Sequence, residues 1–95
     1  KVANELDNNN IKWTRPPYLP YDVSKKYFPD FYLIDFDVYL DPKNDYLIEQ
    51  DKDKINSVVE QNNVRVLVLP NNKLTWDEIL KEIQLLDKNQ PKSGI

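Results

Sequence analysis

The sequence contains neither cysteine nor histidine. The first absence removes disulfides, thiolate metal sites and thiol nucleophiles, and the second removes the commonest general base and zinc ligand. Any chemistry must come from carboxylates, lysine, hydroxyls or a bound metal, and carboxylates alone select hard cations such as Mg²⁺, Mn²⁺ or Ca²⁺. No apolar run approaches the roughly 20 residues of a membrane span, and no basic stretch followed by an apolar core marks a signal peptide. The chain reads as soluble and intracellular, with no membrane partner. An initiator methionine is also missing. Val2 and Leu6, four residues apart, read as the end of a helix too short to stand alone, so a domain cut from a longer protein is expected.

What is present suits one small folded domain. The 95 residues are 40% hydrophobic and 12% aromatic, so Trp13, Phe31, Tyr32, Tyr39 and Trp76 can supply much of a single core. The net charge of −3 is unevenly spread. Residues 1–28 carry five basic and three acidic side chains, 29–50 one basic and six acidic, and 51–95 seven of each. The surplus of acid therefore sits around Asp30 to Asp45. A divalent cation would cancel such local charge, and a solvated acidic loop would equally account for it.

The expected elements follow from periodicity and punctuation. A first helix runs to Asn8, ended by Asn8, Asn9 and Asn10. Ile11, Trp13 and Arg15 alternate with Lys12 and Thr14 as a short strand stopped by Pro16 and Pro17, and residues 16–24 read as an extended loop or edge. The segment from Tyr27 to Leu40 is the richest in strand-forming residues and reads as a hairpin about Asp35, Phe36 and Asp37. Residues 51–61 place Ile55, Val58 and Val59 at helical spacing, with Asn62 and Asn63 as end signals. The run Val64 to Leu69 suits a central strand covered on both faces. Thr75-Trp76-Asp77-Glu78 is a capping box opening a last helix. The fold class is α/β: a small mixed four-stranded sheet flanked by helices, ordered helix-strand-strand-strand-helix-strand plus a C-terminal helix. The domain spans residues 1–88, and 89–95 form a flexible tail or linker.

With the hairpin turn centred between Asp35 and Phe36, Phe31 faces Leu40 and Asp30 faces Asp41. Directly opposed Cβ atoms lie about 4.5–5.5 Å apart, close enough for two carboxylates to share a cation. Lys43, two residues beyond Asp41, emerges on the same side of an extended strand. Two aspartates and a lysine together suit phosphodiester cleavage without histidine, where a metal activates water and a cation neutralises developing charge.

Tyr27-Phe28-Pro29-Asp30-Phe31-Tyr32-Leu33 followed by Val38-Tyr39-Leu40-Asp41-Pro42-Lys43 resembles the signature of the PD-(D/E)xK nuclease superfamily, and the element order resembles that superfamily's core over roughly residues 1–69. The resemblance implies a restriction-endonuclease-like fold and a Mg²⁺-dependent endonuclease in which Mn²⁺ can substitute. It implies that Asp30 and Asp41 are the metal ligands and that Lys43 is the catalytic lysine. DNA is the implied partner, a homodimer or a fused DNA-binding domain the implied source of specificity, and a bacterial or phage-infected cytoplasm the implied setting. Small phage homing and very-short-patch-repair-like enzymes are the nearest subtypes. The second acid is aspartate where glutamate is commoner, and Pro42 stands where an apolar residue is usual. The helix glutamate of some members has no clear counterpart, Glu5 being the nearest and reading better as a helix-surface acid. Trp13, Arg15 and Tyr18 could touch nucleic acid, as could Lys25, Lys26, Lys52 and Lys54, although Trp13 reads as core, Lys52 and Lys54 read better as solvated helix lysines, and a solubilising turn explains Lys25 and Lys26 equally well. A noncatalytic binding module on the same fold, or a junction resolvase, remains an alternative.

Overall fold

A computed structural model of the chain describes residues 2–89. Its elements are α1 (Val2–Asn8), β1 (Trp13–Thr14), β2 (Leu19–Tyr21), β3 (Lys25–Tyr27), β4 (Phe31–Leu33), β5 (Val38–Pro42), α2 (Asp45–Gln50), α3 (Lys52–Asn62), β6 (Val66–Leu69) and α4 (Trp76–Asn89). A mixed four-stranded sheet has the order β1-β4-β5-β6, and β2 and β3 form a separate two-stranded sheet. The first three strands of the main sheet are antiparallel, and β6 runs parallel to β5 after the α3 crossover. The small mixed α/β arrangement expected from the sequence is therefore present. None of the described helices is long and apolar enough to cross a membrane.

Strand alternation divides the core in two. Phe31, Leu33, Val38, Leu40, Leu67 and Leu69 pack with Val2 and Leu6 of α1 and with Ile79, Ile83 and Leu86 of α4. On the opposite face Val66 packs with Ile55 and Val58 of α3 and with Leu19 and Tyr27 of the small hairpin, and Tyr39 and Val68 lie against them. Odd-numbered residues of β5 thus face α3 and the hairpin, which decides where Asp41 and Lys43 go.

The hairpin register is the one expected: Phe31 pairs with Leu40 and Leu33 with Val38. Its turn differs from the tight two-residue form assumed. Ile34 donates to the Lys12 carbonyl instead of pairing with Asp37, and the Asp37 amide donates to Leu33 O at 2.8 Å. Residues 34–37 form a four-residue loop with Asp37 in the left-handed region at φ 53°. Lengthening an even loop by two residues leaves the parity unchanged, so the opposed pairs survive.

Other expectations need correction. Residues 16–24, read as an extended loop or edge, contain β2 and the turn that leads into β3, in which Ser24 N donates to Asp22 O at 2.7 Å and Val23 takes φ 70°. Helix α2 was not expected. Asn44 opens it, its side chain accepting from Leu47 N at 2.8 Å, and Asp51 breaks it from α3. β6 is an edge strand and not a central one: α3 and α4 cover both its faces, which accounts for the apolar run, while one hydrogen-bonding edge has no neighbouring strand among the described residues. The last helix runs through Asn89, and residues 90–95 of the expected tail lie outside the described residues. The end signals hold: Asn63 caps α3 at φ 53°, and Thr75 and Glu78 exchange the reciprocal capping contacts.

Candidate functional site

Tyr39 N donates to Arg65 O and Lys43 N to Leu69 O, both at 2.9 Å, so the odd-numbered amides of β5 face β6. Position 42 therefore faces β4, whose pairing ends at Phe31–Leu40. Proline costs no ladder bond there, and the backbone stays extended through Lys43. Asp41 and Lys43 consequently share the α3 side of the sheet, with Lys43 Nζ 3.4 Å from Asp41 Oδ2.

Asp41 is only 3% exposed, the one buried charged residue among those described. β3 turns Tyr27, itself 2% exposed, inward over it, and the Tyr27 hydroxyl donates to Asp41 Oδ2 at 2.5 Å. Burial pushes the Asp41 carboxyl above its ordinary 3.8, against the lowering effects of the Tyr27 hydrogen bond and the Lys43 charge. The negative charge of Asp30 also raises it. Burial and the negative charge of Asp41 drive the Tyr27 phenol far above its ordinary value, which keeps it a donor.

Asp30 lies just outside the β4–β5 ladder, at the position opposed to Asp41, and is exposed. The three expected site residues are thus brought to one end of the β4–β5 hairpin. The structure adds two more groups. Asp51, at the joint between α2 and α3, makes no side-chain cap to α3 and instead lies 4.0 Å from Lys43 Nζ and 3.5 Å from Lys54 Nζ. Lys54 Nζ in turn stands 5.6 Å from the Tyr27 ring. Sequence reasoning took Tyr27 as strand-forming bulk. The one general signal is chemical, that a buried tyrosine needs a partner for its hydroxyl, and the partner here, Asp41, lies 14 residues away along the chain.

Glu5 is engaged elsewhere. Its Oε1 accepts from Trp76 N at 2.8 Å, covering an otherwise unpaired amide at the start of α4. Trp13 is half-buried against the core, edge-on to Phe31 at 5.1 Å, and its Nε1 donates to Asp7 Oδ1 at 2.8 Å. Arg15 stacks its guanidinium 5.9 Å from the Trp13 ring.

A hard cation would find oxygen donors here. Both Asp41 contacts fall on Oδ2, so among the described residues Oδ1 carries no side-chain hydrogen bond. The carboxylate of Asp30 is open to solvent. No group of three or more acids capable of holding a metal is found among the described residues. Comparison with known proteins gives no match among protein-family models, curated proteins or solved structures.

Proposed function

We propose that this chain is a Mg²⁺-dependent DNA endonuclease domain of the PD-(D/E)xK kind, with a restriction-endonuclease-like core and a phage homing or repair-type role. One observation carries the reading: the buried Asp41 and Lys43 share one face of β5, 3.4 Å apart, at the strand end opposed to Asp30. The antiparallel β1-β4-β5 meander followed by α3 and the parallel β6 supports the fold assignment. Asp41 through Oδ1 and Asp30 would hold the metal, for which Mn²⁺ can substitute. Bound there, the ion would lower the pKa of the attacking water and offset charge on the phosphate.

The protein groups have separable tasks. Tyr27 locks Oδ2 and so fixes which way Asp41 aims its other oxygen. Lys43, held between Asp41 and Asp51, sets an ammonium against the charge that grows on a nonbridging phosphate oxygen. As the water oxygen bonds to phosphorus, the bond to the departing sugar oxygen breaks. The proton lost by water is matched by one taken up by the leaving oxygen. Base recognition belongs to a fused DNA-binding segment or a dimer partner in this reading, because the domain is small and acidic.

The test incubates the purified domain with supercoiled, linear and branched DNA plus Mg²⁺ or Mn²⁺. Cutting that disappears in Asp41→Asn and Lys43→Ala, with folding verified by circular dichroism, supports the assignment. Full activity in both variants sinks it. A second reading, a noncatalytic binding module, is favoured because no three acids among the described residues are grouped so as to hold a metal, and because Asp41 Oδ2 is already occupied. It predicts a folded domain that cuts no form of DNA with either metal.

A further inference from the structure

The small hairpin carries a surface that the carboxylate chemistry does not use. Phe28, directly after β3, is 67% exposed, and Tyr18, directly before β2, is 44% exposed. Their rings meet at 5.9 Å and a 53° tilt. Neither residue belongs to either core cluster. Two aromatic rings left in water beside each other are costly to keep unless something covers them. Lys26 Nζ stands 4.8 Å from the Tyr18 ring, and Lys25 Nζ 5.9 Å from the Tyr21 ring. Residues 11–28 hold four basic side chains and one acidic one, in a chain of net charge −3. Phe28 precedes Asp30 by two residues, so their Cα atoms are at most about 7 Å apart.

We propose that Tyr18 and Phe28, flanked by Lys26, form a stacking platform for an unpaired DNA base beside Asp30, so that the substrate is DNA with a single-stranded or frayed segment at the cut. The inference rests on the nuclease reading and names the substrate class for it. The reasoning is one of complementary chemistry. Every base has a π-face, and bases of a continuous duplex keep theirs covered by stacking. An exposed aromatic pair therefore discriminates in favour of unpaired strands. The lysines meet the phosphates on either side of the stacked base without reading sequence. The hairpin is held rigidly enough to present the rings: Gln61 Nε2 donates to Asp22 Oδ1 and Gln61 Oε1 accepts from Asp22 N, both at 2.8 Å, and Asn62 Nδ2 donates to Pro20 O at 2.7 Å.

The test separates binding from cutting. Fluorescence anisotropy with a labelled short oligo(dT), and with a blunt duplex of equal length, is measured at low ionic strength in EDTA. Oligo(dT) is expected to bind more tightly than the duplex, Phe28→Ala to weaken it about tenfold, and Phe28→Tyr to restore it. Phe28 is exposed, so its replacement leaves the core intact, and Tyr18→Ala provides a second variant. Equal affinity for the two DNAs, no binding to either, or unchanged binding in both alanine variants would overturn the platform. So would Phe28-dependent binding to anionic phosphatidylserine vesicles with none to oligo(dT). In Mg²⁺, wild type is expected to cut a forked duplex faster than a blunt one, with the preference lost in Phe28→Ala. A protein that binds oligo(dT) through Phe28 but cuts nothing refutes the nuclease reading alone, whereas one that cuts but binds without Phe28 refutes the platform alone.

Discussion

Replacing Tyr27 by Phe removes one oxygen and leaves the ring in place against Lys54 and the α3 core. The bond lost is a 2.5 Å contact between a hydroxyl and a carboxylate, with donor and acceptor residues 2% and 3% exposed, so water cannot readily substitute. A hydrogen bond to a charged group contributes about 1.5–3 kcal/mol, and about 2 kcal/mol is expected here at neutral pH. For a domain of this size that lowers the melting temperature by about 8–16 °C. The loss should depend on pH in a definite direction. The Asp41 pKa in the fold lies above its ordinary 3.8, so Asp41 favours folding most below that value, and the benefit fades as pH rises through its folded pKa. The Tyr27 hydrogen bond opposes that rise, so removing it raises the folded pKa further and widens the deficit at neutral pH. In acid, where Asp41 is protonated, the bond lost is neutral and is worth only about 1 kcal/mol. Urea unfolding in EDTA, followed by tryptophan fluorescence, measures both values. A deficit equal at the two pH extremes, or larger in acid, refutes the assignment of Tyr27 as a donor that opposes the rise in the Asp41 pKa.

Saturating Mg²⁺ is expected to stabilise wild type, by about 2.7 kcal/mol at one hundred times the dissociation constant, and to leave Asp41→Asn unmoved; scanning calorimetry with equal shifts in both would remove Asp41 from the metal site. Lys43→Met should slow DNA cutting about 10²–10³-fold while the circular dichroism spectrum stays the same, and an unchanged rate would assign Lys43 to structure alone. Glu5→Ala is expected to cost about 1 kcal/mol through the lost cap on α4 and to leave cutting unchanged; a large drop in rate would return Glu5 to the site. Val23, fully exposed and β-branched at φ 70°, is strained, so Val23→Gly should raise stability by about 1 kcal/mol in urea titration, and a decrease would contradict the turn geometry.

The parts of the fold that were legible are those in which one physical signal decides. Alternation about Phe31, Leu33, Val38 and Leu40 set the hairpin register, and any even loop length would have preserved it. Asn63 and the Thr75–Glu78 pair announced helix ends through side-chain chemistry that acts locally. The β2–β3 hairpin was hidden because Pro20 lies inside a strand and the Asp22-Val23-Ser24 turn carries no glycine. β6 misled for another reason: an apolar run reports whether faces are covered, and says nothing of whether the strand has a neighbour on each hydrogen-bonding side. At the site, the Asp30, Asp41 and Lys43 grouping followed from parity. Tyr27 and Asp51 did not, because they reach Asp41 and Lys43 from a second sheet and from a helix joint, and no spacing in the sequence encodes that approach.

Pro42 has a counterpart that extends its meaning. Continuing the register of β4 and β5 by two pairs would set Pro29 opposite Pro42, at the next position where the two strands should exchange amide hydrogen bonds. Neither imide has a proton to give, so the ribbon cannot zip past Phe31–Leu40 whatever the surrounding packing. The fork that leaves the Asp30 carboxylate open to water is therefore a covalent property of two facing residues. No hinge has to open it, and it is available as soon as the hairpin has formed. Restoring amides at both positions, as in Pro29→Val with Pro42→Val, would let the strands close over the place where position 30 stands opposite Asp41.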